Sequence, residues 1–410
     1  MFVPAGTACR LRKEHGYKMI YLDNAATTRV SEAVFEAIKP FFCEQYANPS
    51  AIYSFAGKSM TAVDAARRQV AALIGAEPNE IYFTSGGSES DNWAIKAAAE
   101  AHRDKGRHII TSAIEHHAVI HTCQMLEKQG YEVTYVNVDE NGLLRMEELE
   151  RAIRPDTILI TVMAANNEIG TIQPLAQIGA LAQKHGILFH TDAVQAYGHI
   201  PLDVNALHID MLSASGHKLH APKGVGCLYI RKGVRVGAFL HGGAQERSRR
   251  AGTLNTAGIV GMGEAARLAG EQMEENAQKE RELRDYLIAR VLSEIPYSRL
   301  NGDSDRRLPG NANFSFRFVE GESVLILLDQ QGICASSGSA CTSGALDPSH
   351  VLLAIGLPHE IAHGSLRLTL SAENTKEELD FTVERLKEII KRLRDMSPLY
   401  EDFVKQKSVL

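Results

Sequence analysis

Apolar positions recur along the chain with two alternating periods. Val34, Ile38, Phe41 and Phe42 fall on one helical face, as do Val63, Ala66, Val70, Leu73 and Ile74, with Gly75 placed to stop the second helix. Short apolar runs at 81–84, 109–111, 133–138, 157–162, 187–190, 209–212 and 226–230 read as strands. Helical segments after Ser88 and over 118–129, 146–153 and 175–185 separate several of them. This alternation predicts an α/β fold with a mainly parallel sheet covered by helices on both faces. A long helical stretch, 257–292, leads out of that unit. Strands at 313–318 and 366–370 and helices at 323–331 and 376–396 predict a second, smaller α+β unit. There is no internal repeat and no low-complexity tract.

Length agrees with this division, since 410 residues exceed one ordinary core and suggest two domains. The content, 44% apolar and 23% charged, is that of a soluble globular protein. A formal net charge of −6 argues against a general binder of nucleic acid or anionic membrane. Six cysteines (9, 43, 123, 227, 334 and 341) include no C-x-x-C pair, which argues against a disulfide framework or zinc site and for a reducing cytoplasm. No apolar run approaches the ~18 residues of a membrane span. Residues 1–18 carry Arg10, Arg12, Lys13, Lys18 and Glu14 but no apolar stretch, so they read as a frayed leader or as preceding a start at Met19, not as a signal peptide. Adjacent His116 and His117 project differently from a helix or a strand, and no metal is expected.

Candidate chemistry gathers at the carboxyl ends of strands, where open α/β sheets collect ligands. The densest stretch is S-A-S-G-H-K-L-H-A-P-K-G-V-G, 213–226, held between two strands. Small neighbours around Lys218 let a bulky cofactor approach the backbone, and Ser215 and His217 offer hydrogen bonds suited to phosphate. An amine kept from bulk water becomes a nucleophile toward carbonyls, the setting for a Schiff base with pyridoxal phosphate. A surface lysine in a turn is the competing reading. After 81–84, T-S-G-G-S-E-S-D-N opens with Gly86 and Gly87 and begins a helix at Ser88, as a phosphate cup or an ordinary cap. After 109–111, His116 would lie over an aromatic cofactor or serve as a hydrogen-bonded core residue. After 157–162, Asn166 and Asn167 would bind a carboxylate or ring oxygen, or form a turn.

After 187–190 comes Asp192, an acid whose burial is costly unless it meets a cation. A protonated pyridine nitrogen or a structural Arg or Lys would serve. In the second unit A-S-S-G-S-A-C-T-S-G-A, 335–345, sets Cys341 among small residues, a composition for a loop rather than a core. Its thiol reads as an exposed nucleophile. Arg367, in S-L-R-L-T-L, would clamp a substrate carboxylate or sit on a strand's solvent face.

These motifs, with E-H-H-A-V, N-N-E-I-G, D-A-V-Q and R-R-A-G-T, occur in the order found in class I cysteine desulfurases of the NifS/IscS type. From about Ile20 (I-Y-L-D-N-A-A-T-T) to about residue 400 the chain resembles that family. The resemblance implies a fold-type I pyridoxal 5'-phosphate-dependent transferase. A large cofactor-binding domain would cover 31–270, and a small α+β domain carrying the cysteine loop would be built from 20–30 and 271–410, with 1–19 as a disordered leader. It implies a Schiff base at Lys218, a pyridinium partner in Asp192, His116 stacked on the ring and Gln195 on the phenolic oxygen. Gly87, Ser88, Ser215 and His217 would hold the phosphate, with Thr253 contributed across a homodimer interface, and Asn167 and Arg367 would take the substrate carboxylate.

The implied reaction moves sulfur from L-cysteine to Cys341, giving L-alanine and a persulfide, with Lys218 moving the Cα proton and His116 as acid/base for the thiols. The sulfur would pass to an acceptor protein such as an iron–sulfur scaffold. His220-Ala221 and Arg250-Ala251-Gly252-Thr253 replace the Tyr-Gly and R-S-G-T of many relatives and look closer to the nitrogen-fixation branch. The tail lacks the ending that housekeeping members use at their scaffold, so the acceptor stays open. The alternatives are a selenocysteine lyase or another lyase of the superfamily and, in a different class, a catalytically silent docking protein.

Overall fold

The computed structural model describes residues 19–337 and 348–407. Residues 1–18 of the expected leader, and Cys341, lie outside the described residues. The chain enters at β1 (Ile20–Tyr21) and then builds a seven-stranded sheet. Its strands are β2 (Ile81–Thr84), β3 (His108–Ser112), β4 (Glu132–Val136), β5 (Thr157–Thr161), β6 (Leu188–Asp192), β7 (Met211–Ser215) and β8 (Gly226–Ile230). The spatial order is β2-β8-β7-β6-β5-β3-β4. Pairings among β3 to β7 are parallel, whereas β8 runs antiparallel to both β2 and β7. The connection 216–225 is too short for a crossover helix, so the chain must return antiparallel there. Alternate residues serve opposite faces. Ile110, Ile160 and Phe189 join one core, and Ile109, Leu159 and Met211 the other.

Two expectations shift for identifiable reasons. The run at 209–212 predicts a strand, but β7 begins at Met211 and extends through Ser215. Asp210 stays outside because its carboxylate accepts from Phe189 N–H at 2.9 Å and pairs with Arg231 Nε at 3.3 Å. Polar Ser213 is tolerated inside the sheet because its hydroxyl meets His190 Nε2 at 3.0 Å. The helical face through Phe42 is interrupted. The helix Glu32–Ile38 ends before Pro40 opens a separate turn, Pro40–Cys43, and Phe42 is 63% exposed.

The helix Ser54–Ala72 packs on the 39-residue helix Thr256–Glu294. Their approach is close enough that a Cβ on Gly263 would lie 2.5 Å from Ala66 Cα. The long helix ends in a second core. There Leu287 and Val291 join Leu22, Phe314, Phe316, Leu366, Leu368, Leu386 and Ile390. The sheet of this part orders β9 (Ser298–Leu300), β10 (Asn311–Phe316) and β12 (Ser365–Thr369) as β12-β10-β9, all antiparallel. A short β11 (Ile333–Cys334) pairs in parallel with β1. The helices Gly321–Asp329 and Lys376–Asp395 cover it, the latter opened by a Thr375/Glu378 capping box.

One ion pair ties the large sheet to its helices. Arg67 meets Glu246 through two hydrogen bonds, of 2.6 and 2.7 Å, and Glu246 also accepts from Phe83 N–H at 2.9 Å. Glu246, Arg247 and Ser248 reach this position with φ of 44, 55 and 62°, a left-handed run of bulky residues that must be held by its contacts. Glu246→Ala would leave a buried guanidinium uncompensated and should cost about 3–5 kcal/mol, read from denaturant unfolding. Glu373→Ala, breaking the exposed pair with Arg29, should cost less than about 1 kcal/mol. Equal losses in the two variants would contradict this assignment.

Candidate active site

Four parallel strands of the sheet end on one side of the molecule, and the segments beyond them wall a cavity of about 340 Å³. A hollow of about 940 Å³ lies elsewhere, along the long helix, but the reactive groups collect at the smaller one. Gly87, Ser88, His116, Asn167, Asp192, Gln195, Ser215, His217, Lys218 and Arg367 all line it. Thr253 does not; it is exposed. Cys341 lies outside the described residues, but upstream of it Ser336 bridges to Arg367.

Lys218 closes a single tight turn, Gly216–Lys218, immediately after β7. Its Nζ donates to the carbonyls of Ala25 and Ala26 at 2.6 and 2.7 Å. The backbone behind it is braced by His199, whose Nε2 donates to Lys218 O at 2.9 Å. Asp192 is the last residue of β6 and is 5% exposed, with its Oδ1 accepting from Val194 N–H at 2.9 Å. Burial pushes its pKa up, while His116, the Val194 N–H and Lys218 pull it down. Gln195 donates its amide to Ala25 O at 2.9 Å.

His116 is the N-cap of the helix His117–Glu127. Its Nδ1 accepts from Ala118 N–H at 3.1 Å, which leaves the ring proton on Nε2 when the imidazole is neutral. Burial, helped by Lys218 and Lys223, pushes His217 down to about 4, so this ring is neutral. Its Nδ1 meets Thr27 Oγ1 at 3.2 Å. Gly87 and Ser88 open the helix Gly87–Ala101, whose first N–H groups and dipole favour an anion.

The paired asparagines divide their work. Asn166 is a brace, donating to Ile114 O and accepting from the N–H groups of Glu168 and Ile169. Asn167 faces the cavity, and its carbonyl accepts from Arg367 Nη1 at 2.9 Å. Arg367 is 3% exposed, so it is no solvent-face charge. Its Nη2 pairs with Asp23 at 2.9 Å, and its buried Nε has no hydrogen-bond partner among the described residues.

Several site groups escaped the sequence reading. Asp23, Ala25 and Ala26 lie in L-D-N-A-A, where the useful groups of the alanines are backbone carbonyls that no side-chain pattern marks. Asp91, in S-E-S-D-N, lines the cavity instead of capping a helix, and burial and the charge of Asp192 raise its pKa. Burial pushes Glu115 up to about 8 and His190 down to about 3, so both neighbours of the acid are held uncharged at neutral pH.

These features fit pyridoxal phosphate: an amine for its aldehyde, a buried acid short of a cation for its ring nitrogen and a helix start for its phosphate. The cradle is close-built, since a Cβ on Gly87 would lie 2.5 Å from Val194 Cγ2. Among the described residues no group of three or more His, Cys, Asp or Glu is arranged to hold a metal ion.

Residues 20–381 match the family described as Aminotransferase class-V. The chain is 55% identical over 392 residues to "Cysteine desulfurase IscS" of Clostridium botulinum, covering 95% of this chain and 99% of that protein. It is 57% identical over 382 residues to "Cysteine desulfurase IscS" of Methanosarcina thermophila, covering 93% and 94% of the two. A solved structure titled "NifS-like protein" superposes with a TM-score of 0.86 at 39% identity, over 91% of this chain and all of that one.

The tight cradle makes a direct prediction. Gly87→Ala should weaken pyridoxal phosphate retention by roughly tenfold with the fold kept, because overpacking of this kind costs about 1–3 kcal/mol. Adding Val194→Ala removes the opposing methyl and should restore most of it, as followed by titration of the apoprotein. Unchanged retention in Gly87→Ala would mean that the helix start is not the phosphate site.

Proposed function

Because the chain belongs to the aminotransferase class-V family, among its cysteine desulfurases, we propose that the residues of this cavity perform pyridoxal-phosphate-dependent removal of sulfur from L-cysteine. The protein is a cysteine desulfurase, and the roles below are our assignment of that activity to its side chains. The observation that supports it most is a single cavity walled by the Lys218 amine, the Asp192 carboxyl and the Arg367 guanidinium. Bound pyridoxal phosphate supplies a carbonyl for the substrate amine and a sink for charge developing at Cα.

Lys218 would be the attachment point, and its amine would take the proton from the substrate Cα. Asp192 would hold a proton on the ring nitrogen through a charge-assisted hydrogen bond. Ser88, Ser215, His217 and the N–H groups of the helix start would hold the phosphate, and Gln195 would bond the phenolic oxygen. His116 would serve the ring and offer an acid/base to the substrate thiol. Asn167 and Arg367 would take the substrate carboxylate, for which the Arg367 Nε, unpartnered among the described residues, is suited. The Cys341 thiolate attacks the substrate sulfur. A sulfur–sulfur bond forms, the carbon–sulfur bond breaks with its electrons returning to carbon, and protonation of that carbon gives alanine. Burial pushes the thiols of Cys123 and Cys227 up to about 12, out of range for this step.

The persulfide would serve an acceptor such as an iron–sulfur scaffold in the cytoplasm. Among the described residues no helix is long and apolar enough to cross a membrane. A homodimer is supported by Phe42, Tyr46, Ile52, Tyr53 and Phe55, large apolar side chains exposed within one short stretch. Exposed Thr253 would then reach a second copy's phosphate. Arg250, three residues before it, pairs with Glu89 on the cradle helix at 2.7 Å and holds this segment in place.

Two measurements test this reading. Cys341→Ser should still bind L-cysteine and shift the cofactor spectrum, while alanine and persulfide formation fall by roughly 10³-fold or more. Alanine released at the parent rate would remove Cys341 from the mechanism. Ile52→Glu should halve the mass seen by sedimentation and weaken cofactor retention. An unchanged mass would place the interface elsewhere.

A further inference from the structure

The substrate-carboxylate residues have a second set of contacts, directed at the segment that bears Cys341. Upstream of the thiol, Ser336 exchanges backbone hydrogen bonds with Arg367, and Ser337 O accepts from Ser365 Oγ at 3.3 Å. Downstream, Ser349 Oγ donates to Glu168 Oε2 at 2.5 Å, and His350 Nε2 donates to Glu115 O at 3.0 Å. Glu168 directly follows Asn167, and Glu115 directly precedes His116. Both ends of the segment are therefore fastened to the segments that carry the proposed substrate and acid/base groups. Glu168 is 4% exposed and Ser349 5%, so water does not compete for this hydrogen bond. Glu168 is itself fixed, its carbonyl accepting from the amides of Asn311 and Asn313 and its N–H donating to Asn166.

We propose that Glu168 is a positioning residue for sulfur transfer, its carboxyl gripping Ser349 so that the chain leading back to Cys341 is registered against the substrate-carboxylate site. This rests on Cys341 being the nucleophile. The ordinary alternative, that Glu168 merely caps the turn after β5, is met by its backbone; the side chain reaches away, to a residue 181 positions along the chain. Burial pushes the Glu168 carboxyl up while Ser349, His350, Arg367 and His116 pull it down, so the grip does not require a permanently ionised acid.

Ser349 also caps the helix His350–Ala354, its Oγ accepting from the N–H groups of Val351 and Leu352. The test must separate capping from the grip. Ser349→Asp keeps a good N-cap but sets one carboxyl against another, whereas Ser349→Asn keeps the cap and still offers a donor to Glu168. Glu168→Gln keeps an acceptor for Ser349, and Glu168→Ala removes it. With the full-length holoenzyme and L-cysteine, two quantities are read: the concentration giving half of the cofactor spectral shift, and the single-turnover rate of persulfide appearing on Cys341 by mass.

Glu168→Ala and Ser349→Asp should slow persulfide formation by about tenfold or more, the scale of a misplaced reactant, and leave half-saturation within about twofold. Glu168→Gln and Ser349→Asn should recover most of the rate. Parent-rate persulfide in either disruptive variant would overturn the proposal, as would a spectral shift lost in step with the rate. If Glu168→Ala does not fold, Ser349→Asp decides alone by the same criteria. Cys341→Ser run alongside separates the failures. Alanine at the parent rate in that variant sinks the nucleophile assignment, while a dead Cys341→Ser beside a parental Ser349→Asp sinks only the role of Glu168.

Discussion

A carboxylate buried at the end of a parallel strand is the constraint around which the site is arranged. Asp192 is removed from water at the tip of β6, and such a charge is costly without an opposite one. Its surroundings respond in one direction. Glu115 is pushed up to about 8 and His190 down to about 3, so these two hold themselves neutral, and burial with the charge of Asp192 raises Asp91. His190 keeps its place by hydrogen bonds to Thr161 and Ser213. A floor of uncharged groups beneath a single acid leaves the strongest attraction for a cation entering from the cavity. A protonated ring nitrogen would meet that requirement, and the lysine at the next strand end would supply the covalent hold.

What could be read in advance follows from how far each cause extends along the chain. Strand positions, the tight lysine turn and the acid after β6 are local properties, visible as apolar runs and the residues that stop them. Element ends were less legible. Asp210 looks like part of a strand until its carboxylate is seen to serve Phe189 and Arg231, which lie on other strands or beyond them. Asn166 and Asn167 are indistinguishable as letters, and only the packing of Ile114 above them makes one a brace and the other a cavity wall. Arg367 was ambiguous for the same reason. Its burial depends on Asp23, at the opposite end of the described chain, which no windowed reading connects to it.

The two apolar cores meet at this guanidinium. Asp192 belongs to the seven-stranded sheet and Lys218 to the turn that follows β7, while Arg367 lies on β12 among the residues of the second core. Arg367 spans the division through Asn167 on one side and Asp23 on the other. The helix Thr256–Glu294 runs from the first core into the second and limits how far they can slide.

On the proposed assignment, a substrate held by its amine on one core and its carboxylate on the other would be aligned by both contacts, with the orientation at Cα set by their separation. Because β12 also pairs with Ser336, the strand that carries Arg367 fastens the chain upstream of Cys341. Recognition of the carboxylate and delivery of the proposed nucleophile would then share one strand. Any change that moves β12 relative to the large sheet would alter both together, whereas a change at Glu168 or Ser349 would reach the delivery side alone.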